Sequence, residues 1–155
     1  MILIDSSVWI EVWEDRSGAH GRTLDRVLEG ASPVFSRFTE LEVLQGCRDE
    51  REWSLLRGFF ASQELLGLGD EGWAEAARIF YDLRRRGLTV RSFIDCCIAQ
   101  VALERELLLI HRDRDFETIS SIRPLRQLWL DLGPAADELH AGPPEAEARG
   151  GGATP

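Results

Sequence analysis

The sequence predicts an α/β domain built around a parallel sheet. Short apolar runs, MILID at 1–5 and LLLI at 107–110, have the length and composition of buried parallel strands. The first run passes at once into SSVWIEVW, which has helical character, and a strand followed directly by a helix is typical of the α/β class. A chain of 155 residues with 44% hydrophobic residues is also long enough to bury one stable core.

Helix and strand signals then alternate along the chain. The helix after 1–5 has Ser6 or Ser7 as its expected cap, and Thr39 with Glu42 matches a capping box for the third helix. Ser92 is the expected cap of the helix that ends near 106, just before LLLI. Helices are predicted at 6–13, 20–29, 38–49, 51–61, 70–86 and 92–106, and strands at 1–5, 33–36, 64–66 and 107–110, with PLRQLWL at 124–130 as an edge strand.

Four acids distant in sequence are expected to meet at one edge of this sheet. Asp5 ends the first strand, Asp113 follows LLLI, and Glu40 lies in the first turn of the helix after strand 33–36. The helix that carries Asp95 must run antiparallel to strand 107–110, so its N-terminus lies at the same edge. Clustered carboxylates repel one another unless a divalent cation binds them. The pattern predicts a magnesium site, with Mn²⁺ as an alternative, and metal-dependent hydrolysis.

Each acid also has a structural interpretation when it is taken alone. Glu40 could complement its helix dipole, and Asp95 could belong to a helix cap. Asp115 is placed to cap the turn FETIS. The occurrence of all four acids at one edge favours a cation site, because Asp5 and Asp95 lie in apolar stretches where an unpartnered carboxylate is costly.

Composition excludes several other classes of protein. No apolar run reaches the roughly 18 residues that span a bilayer, and no basic segment precedes a long apolar stretch at the N-terminus, so we expect a cytoplasmic protein. The three cysteines are odd in number and the three histidines are far apart, which argues against a disulfide framework and a zinc site.

The charge distribution bears on nucleic-acid binding. The net charge of -9 is unusual for such a protein, but all 18 basic residues are arginine. Between residues 84 and 126 nine arginines face six acids. GC-rich codon usage or a solvated helix end also explains such arginines, so binding is one of two interpretations.

The four acidic motifs together resemble those of PIN-domain nucleases, and within them the VapC-like toxins of bacterial toxin–antitoxin pairs. The resemblance covers about residues 1–130 and is carried by ILIDSSVWI, TELEVLQG, FIDCCIAQVAL and LLLIHRDRDFETI. It implies a PIN-like three-layer fold, with a central parallel sheet of about five strands sandwiched by helices. One departure is His111, where many relatives have Thr, Ser or Asn; it could alter metal-bound water or RNA contacts, or be a simple surface residue at the strand end.

The resemblance also implies a function and partners. The chain would be a magnesium-dependent endoribonuclease that leaves 3′-hydroxyl and 5′-phosphate ends, would form a homodimer, and would be neutralised by a VapB-like antitoxin that covers the site from a groove between helices. The implied catalytic residues are Asp5, Glu40, Asp95 and Asp113, with Asp115 as a further metal ligand. The candidate RNA-binding residues are Arg86, Arg91, Arg112 and Arg114.

Alternative functions remain at this point. A haloacid-dehalogenase-like phosphatase needs a second Asp where this chain has Ser7, and a response-regulator receiver needs a lysine, which the chain lacks. A PIN-like binding module and a housekeeping RNA-processing nuclease without a toxin role are the other candidates. Retention of all the acids argues against a pure binding module.

We expect the nuclease domain to span residues 1–132. Of the 23 residues from 133 to 155, 15 are Gly, Ala or Pro and none is aromatic. Such a segment buries too little apolar surface to offset the entropy of ordering it. We therefore expect a disordered tail, with a short helix at 135–140 as an option.

Overall fold

The structure, a computed structural model, describes residues 1–133, and these form one five-stranded sheet and seven helices. The strands are β1 (Ile2–Ile4), β2 (Pro33–Ser36), β3 (Leu65–Leu66), β4 (Leu108–His111) and β5 (Gln127–Trp129). The helices are α1 (Ser6–Glu14), α2 (Ala19–Leu28), α3 (Arg37–Gln45), α4 (Glu50–Ala61), α5 (Asp70–Arg85), α6 (Phe93–Glu104) and α7 (Arg114–Ser120). The strand order is β3-β2-β1-β4-β5 and every pairing is parallel. The predicted fold class is therefore confirmed.

The sheet is covered by helices on both faces because side chains alternate along each strand. Leu3 and Leu109 pack with buried residues of α5 and α6. Their neighbours Ile4 and Ile110 pack with buried residues of α1 and α2 on the opposite face. Register places Ile4 beside Ile110 in the β1–β4 pair, so each core layer is continuous across the two central strands. This arrangement is the predicted three-layer sandwich.

Helix caps differ from the predicted ones at three places. Asp5 caps α1, instead of Ser6 or Ser7, and its carboxylate accepts a hydrogen bond from the Ser7 amide. Ser36 caps α3, so the predicted capping box of Thr39 and Glu42 is wrong. In each case the last residue of the preceding strand, or the one just after it, already supplies an oxygen with the right reach, so the cap lies earlier in the chain than predicted.

The third difference concerns α7. Asp113 caps this helix through the amide of Asp115, at 2.9 Å, whereas the sequence favoured Asp115 as the cap. The helix begins at Arg114, directly after Asp113, which leaves Asp115 inside its first turn. By contrast, the predicted cap Ser92 of α6 is confirmed, with its hydroxyl accepting from the Ile94 amide.

Within residues 1–133, none of the helices has the length and hydropathy needed to cross a membrane. Leu130 and Leu132, at the end of this range, are buried in the core layer of α1 and α2. The predicted tail, including the optional helix at 135–140, lies outside the described residues apart from Gly133.

Candidate functional site

The site is built on the carboxyl ends of the two central strands. Asp5 directly follows β1, and Asp113 follows β4 by one intervening residue. Both side chains cap the helix that comes next, so one carboxylate oxygen of each is held by a main-chain amide. Since β1 and β4 are parallel neighbours, the two capped turns lie side by side at the same edge of the sheet.

Asp95 reaches this edge from the first turn of α6. Its side chain is buried, and burial is the main cause that raises its pKa to about 8. The negative charges of four neighbouring carboxylates raise it further, and these belong to Asp5, Asp113, Asp115 and Glu42. A repulsion of this kind requires the acids to lie close together, so the structure brings Asp5, Asp95, Asp113 and Asp115 into one cluster.

The acid that α3 contributes to this cluster is Glu42, and the expected Glu40 is wrong in this respect. Glu40 pairs with Arg37 at 3.2 Å and with Arg57 at 3.4 Å. Glu42 instead accepts a 2.7 Å hydrogen bond from the hydroxyl of Ser6. Burial raises the pKa of Glu42, and the charges of the aspartates in the cluster add to the increase.

The difference between the two glutamates follows from helix geometry. Residues two apart on a helix point in widely different directions, whereas residues three or four apart share a face. Glu42 stands three residues after Thr39 and four after Phe38, and both of these are buried. That spacing in FTELE was the available signal for Glu42, and it was missed.

Asp5 carries the clearest indication of an absent partner. Its Oδ1 atom is buried and lacks a hydrogen-bond partner within the described residues, and burial raises the pKa of the carboxyl group. A buried carboxylate oxygen without a donor is costly, and a divalent cation would satisfy it. The acids present therefore fit such an ion.

The cluster is not arranged to bind an ion as it stands. Among residues 1–133, no three His, Cys, Asp or Glu side chains are placed to ligate a single metal ion. Asp113 and Asp115 are both engaged by Arg91, which forms ion pairs with each of them. Asp115 is also held by the main-chain amide of Arg91 at 2.7 Å.

The predicted RNA-binding arginines fall into three situations. Arg86 and Arg114 are exposed. Arg91 is exposed but paired with the acids. Arg112 is mostly buried: its guanidinium pairs with Glu11 at 3.0 Å, so it is less available to a phosphate than expected.

His111 is fully buried, so the interpretation as a surface residue is wrong. The Asp113 amide donates to its Nδ1 atom at 3.2 Å, and its Nε2 atom lies 2.7 Å from the side-chain oxygen of Gln127 on β5. Because Nδ1 accepts from this amide, Nε2 is the ring nitrogen that donates to Gln127. It ties the turn that carries Asp113 to the edge strand.

Comparison with known proteins identifies the family. The PIN domain family matches residues 2–121. The chain belongs to the PIN domain family. Ribonuclease VapC11 of Mycobacterium tuberculosis is 33% identical to this PIN domain over 129 residues, which are 81% of this chain and 96% of VapC11. Ribonuclease VapC51 of the same organism is 26% identical over 109 residues, 70% of this chain and 80% of that protein.

Solved structures show the same fold. VapBC2 from Rickettsia felis, bound to a DNA fragment from its promoter, has a TM-score of 0.68 at 16% identity, over 84% of this chain and 100% of that chain. DNA-bound VapBC from Salmonella typhimurium has a TM-score of 0.65 at 21% identity, over 83% of this chain and 98% of that chain. The PIN domain described here therefore has the architecture of the VapC toxins.

Proposed function

We propose that this PIN domain is a magnesium-dependent endoribonuclease and the toxin of a toxin–antitoxin pair. The observation that carries the proposal is the buried carboxylate cluster at the ends of β1 and β4, with its unpartnered Asp5 oxygen. Burial of mutually repelling acids without a cation destabilises a fold, and packing alone gains nothing from it. Such a cluster therefore indicates a functional site. Two relatives, VapC11 and VapC51, are named ribonucleases, which supports RNA as the substrate.

The chain's own side chains have separable roles in this reaction. Asp5, Glu42, Asp95 and Asp113 would hold Mg²⁺, or Mn²⁺ in its place, and Asp115 would contribute directly or through water. When bound, the cation supplies Lewis acidity that lowers the pKa of water and neutralises charge on the phosphate. Ser6 orients Glu42, and the amides of α1 and α7 orient Asp5 and Asp113.

Exposed arginines would guide the RNA backbone toward the acids. Arg86 and Arg114 are the available candidates, because Arg112 is paired with Glu11 and mostly buried. Arginine binds phosphate oxygens through its planar fork of donors, and this offsets the repulsion expected from a net charge of -9.

An apolar groove suits the VapB-like partner that we propose. Trp13, Leu55, Leu56 and Phe59 line a groove of about 640 Å³ between α1 and α4. Leu55 is 73% exposed and lies beside Trp13 and Phe59, which are also exposed, and a contiguous apolar patch of this kind is typical of a partner-binding surface. A smaller cavity of about 150 Å³ shares Trp13 and Leu56 with this groove and extends to Glu42. A segment lying in the groove would therefore reach the acid cluster.

The aromatic residues beneath the groove are packed against one another. Trp9 stacks on Trp13 with ring centroids 5.5 Å apart and on Phe35 at 4.9 Å. Phe59 meets Trp13 edge to face at 5.9 Å. These contacts assign Trp9 and Trp13 to packing and to the groove. We also propose a homodimer on the family likeness, to be measured by light scattering.

A growth assay separates the toxin from a housekeeping nuclease or a binding module. Production of the wild-type chain alone should arrest growth, and co-production of a small antitoxin encoded next to it should relieve the arrest. An Asp95→Asn variant of equal abundance should be harmless. Harmless overproduction of soluble wild-type protein would contradict the toxin role while leaving the fold assignment intact.

A further inference from the structure

Arg91 lies against the acid cluster in the turn between α5 and α6. Its Nη2 atom pairs with Asp113 Oδ2, and its Nε atom lies 3.4 Å from Asp115 Oδ2. The Arg91 guanidinium thus bridges the two carboxylates of the cluster that follow β4. Within the described residues, the other exposed arginine candidates, Arg86 and Arg114, form no salt bridge to these acids.

The main chain and the side chain of Arg91 do different things. The main-chain amide donates a 2.7 Å hydrogen bond to Asp115, and this bond survives any substitution except proline. The side chain is 75% exposed, whereas those of Asp113 and Asp115 are 20% and 10% exposed. An exposed guanidinium paired with a carboxylate is weakly held, because water screens the attraction and the long side chain loses entropy. The Arg91 side chain can therefore move away from both aspartates while the main-chain hydrogen bond keeps the turn in place.

The arm and a divalent cation need the same oxygen atoms. Asp113 Oδ1 accepts a hydrogen bond from the Asp115 amide, and Oδ2 accepts one from Arg91, so Oδ2 is the oxygen for which the guanidinium and an ion compete most directly. A guanidinium and a divalent cation bound to one carboxylate repel each other. Ion binding at Asp113 should therefore favour withdrawal of the Arg91 side chain.

We propose that Arg91 is a latch that competes with the divalent cation for Asp113 and Asp115 and so sets the cation concentration at which the site fills. The proposal rests on the cation site described under the proposed function. The apparent dissociation constant of the ion equals its intrinsic value divided by the fraction of molecules with the latch open. For an exposed ion pair the closed form exceeds the open form by a few-fold, so removal of the arm should tighten cation binding about fivefold.

Calorimetric titration of the full chain with Mn²⁺, without RNA, tests the latch. Arg91→Gln removes the charged arm but keeps the amide bond to Asp115, and it should lower the dissociation constant about fivefold. Arg91→Lys keeps the charge without the fork and should lie between the wild type and Arg91→Gln. The matched control is Arg85→Gln, which removes an exposed charge from the end of α5 and should bind as the wild type does. Circular dichroism checks that each variant is folded.

The alternative role for Arg91 predicts the opposite sign. If Arg91 orients the two aspartates for the ion, Arg91→Gln should weaken Mn²⁺ binding, and that result would overturn the latch. Equal affinity in Arg91→Gln and the wild type would overturn it as well. If the wild type takes up no Mn²⁺ and Arg91→Gln does, the latch is supported in a stronger form. If neither protein binds Mn²⁺, the cation site itself is wrong and the latch falls with it.

Discussion

The hydroxyl group of Ser6 donates a 2.7 Å hydrogen bond to the carboxylate of Glu42, and so joins the start of α1 to α3. Ser6 directly follows Asp5, whose carboxylate caps the same helix. The bond therefore fixes two acids from distant parts of the chain relative to each other. The bond occupies Oε2 of Glu42. Burial is the main cause that raises the pKa of Glu42, and the charges of Asp5 and Asp113 raise it further.

Exchange of Glu42 should have a much larger effect on catalysis than exchange of Glu40. Glu42→Gln keeps an acceptor for Ser6 but removes a negative charge from the cluster, and RNA cleavage should fall at least about a hundredfold, because loss of a residue that only hydrogen-bonds to a metal ligand already lowers activity by up to about a hundredfold. Glu40→Gln breaks ion pairs with Arg37 and Arg57 and should change the free energy of unfolding by no more than about 1 kcal/mol. Rates under single-turnover conditions decide between them. Equal losses in both variants would show that the assignment of Glu42 is wrong.

Asp113 combines two roles that substitutions can separate. Asn caps helices as well as Asp does, so Asp113→Asn should retain stability and weaken Mg²⁺ binding and cleavage at least about tenfold. Asp113→Ala also loses the cap of α7 and should destabilise the fold by about 1 kcal/mol more. Urea unfolding and calorimetry measure the two effects. Full cleavage by a folded Asp113→Asn protein would remove Asp113 from the site.

Stability of the cation-free protein should fall as pH rises. Burial and neighbouring carboxylates raise the pKa of Asp95 from 3.8 to about 8 in the folded protein, so between these values the folded state holds a proton that the unfolded state has released. The free energy of unfolding therefore decreases with pH, by at most about 1.4 kcal/mol per pH unit for one proton. Thermal unfolding with EDTA should give a lower Tm at pH 8.0 than at pH 5.5.

Two controls belong to that pH experiment. Asp95→Asn should reduce the dependence, because the carboxyl group with the pKa of about 8 is gone. Saturating Mg²⁺ should also reduce it, because the ion replaces the proton as the partner of the acids. A wild-type Tm that rises from pH 5.5 to pH 8.0 without metal would contradict the clustering of charges.

The apolar groove should be needed for neutralisation but not for cleavage. Leu55→Asp places a charge on the groove at a position that is 73% exposed, so the fold and RNA cleavage should be retained while relief of growth arrest by the antitoxin is lost. Tyr81→Asp, on α5 and 54% exposed, is the control and should still be neutralised. Normal neutralisation of Leu55→Asp would place the partner elsewhere.

Much of the fold and of the site could be predicted because the signals are local. Apolar runs of strand length and helical spacing gave the sheet, and its parallel order then placed Asp5, Asp95 and Asp113 at one edge. The cap at Ser92 was found for the same reason, since a hydroxyl just before an apolar helix has few other roles.

The errors have physical causes as well. Glu40 was favoured for its place in the first turn of α3, whereas the buried neighbours Phe38 and Thr39 select the helix face of Glu42. The bridge from Arg91 to Asp115 joins residues 24 apart and depends on tertiary packing that no local pattern reveals. Burial of His111 depends likewise on β5, whose Gln127 accepts a hydrogen bond from the His111 ring.

The most direct test of the cation site compares wild type and Asp5→Asn for Mg²⁺ binding by calorimetry and for Mg²⁺-dependent cleavage of single-stranded RNA. Asn preserves the cap of α1, so the fold should be intact, and loss of a repelling charge should leave the Tm unchanged or higher. We predict that the wild type binds the ion and cleaves RNA only in its presence, and that Asp5→Asn does neither. Cleavage by the wild type in EDTA, or full Mg²⁺-dependent activity of Asp5→Asn, would contradict the account.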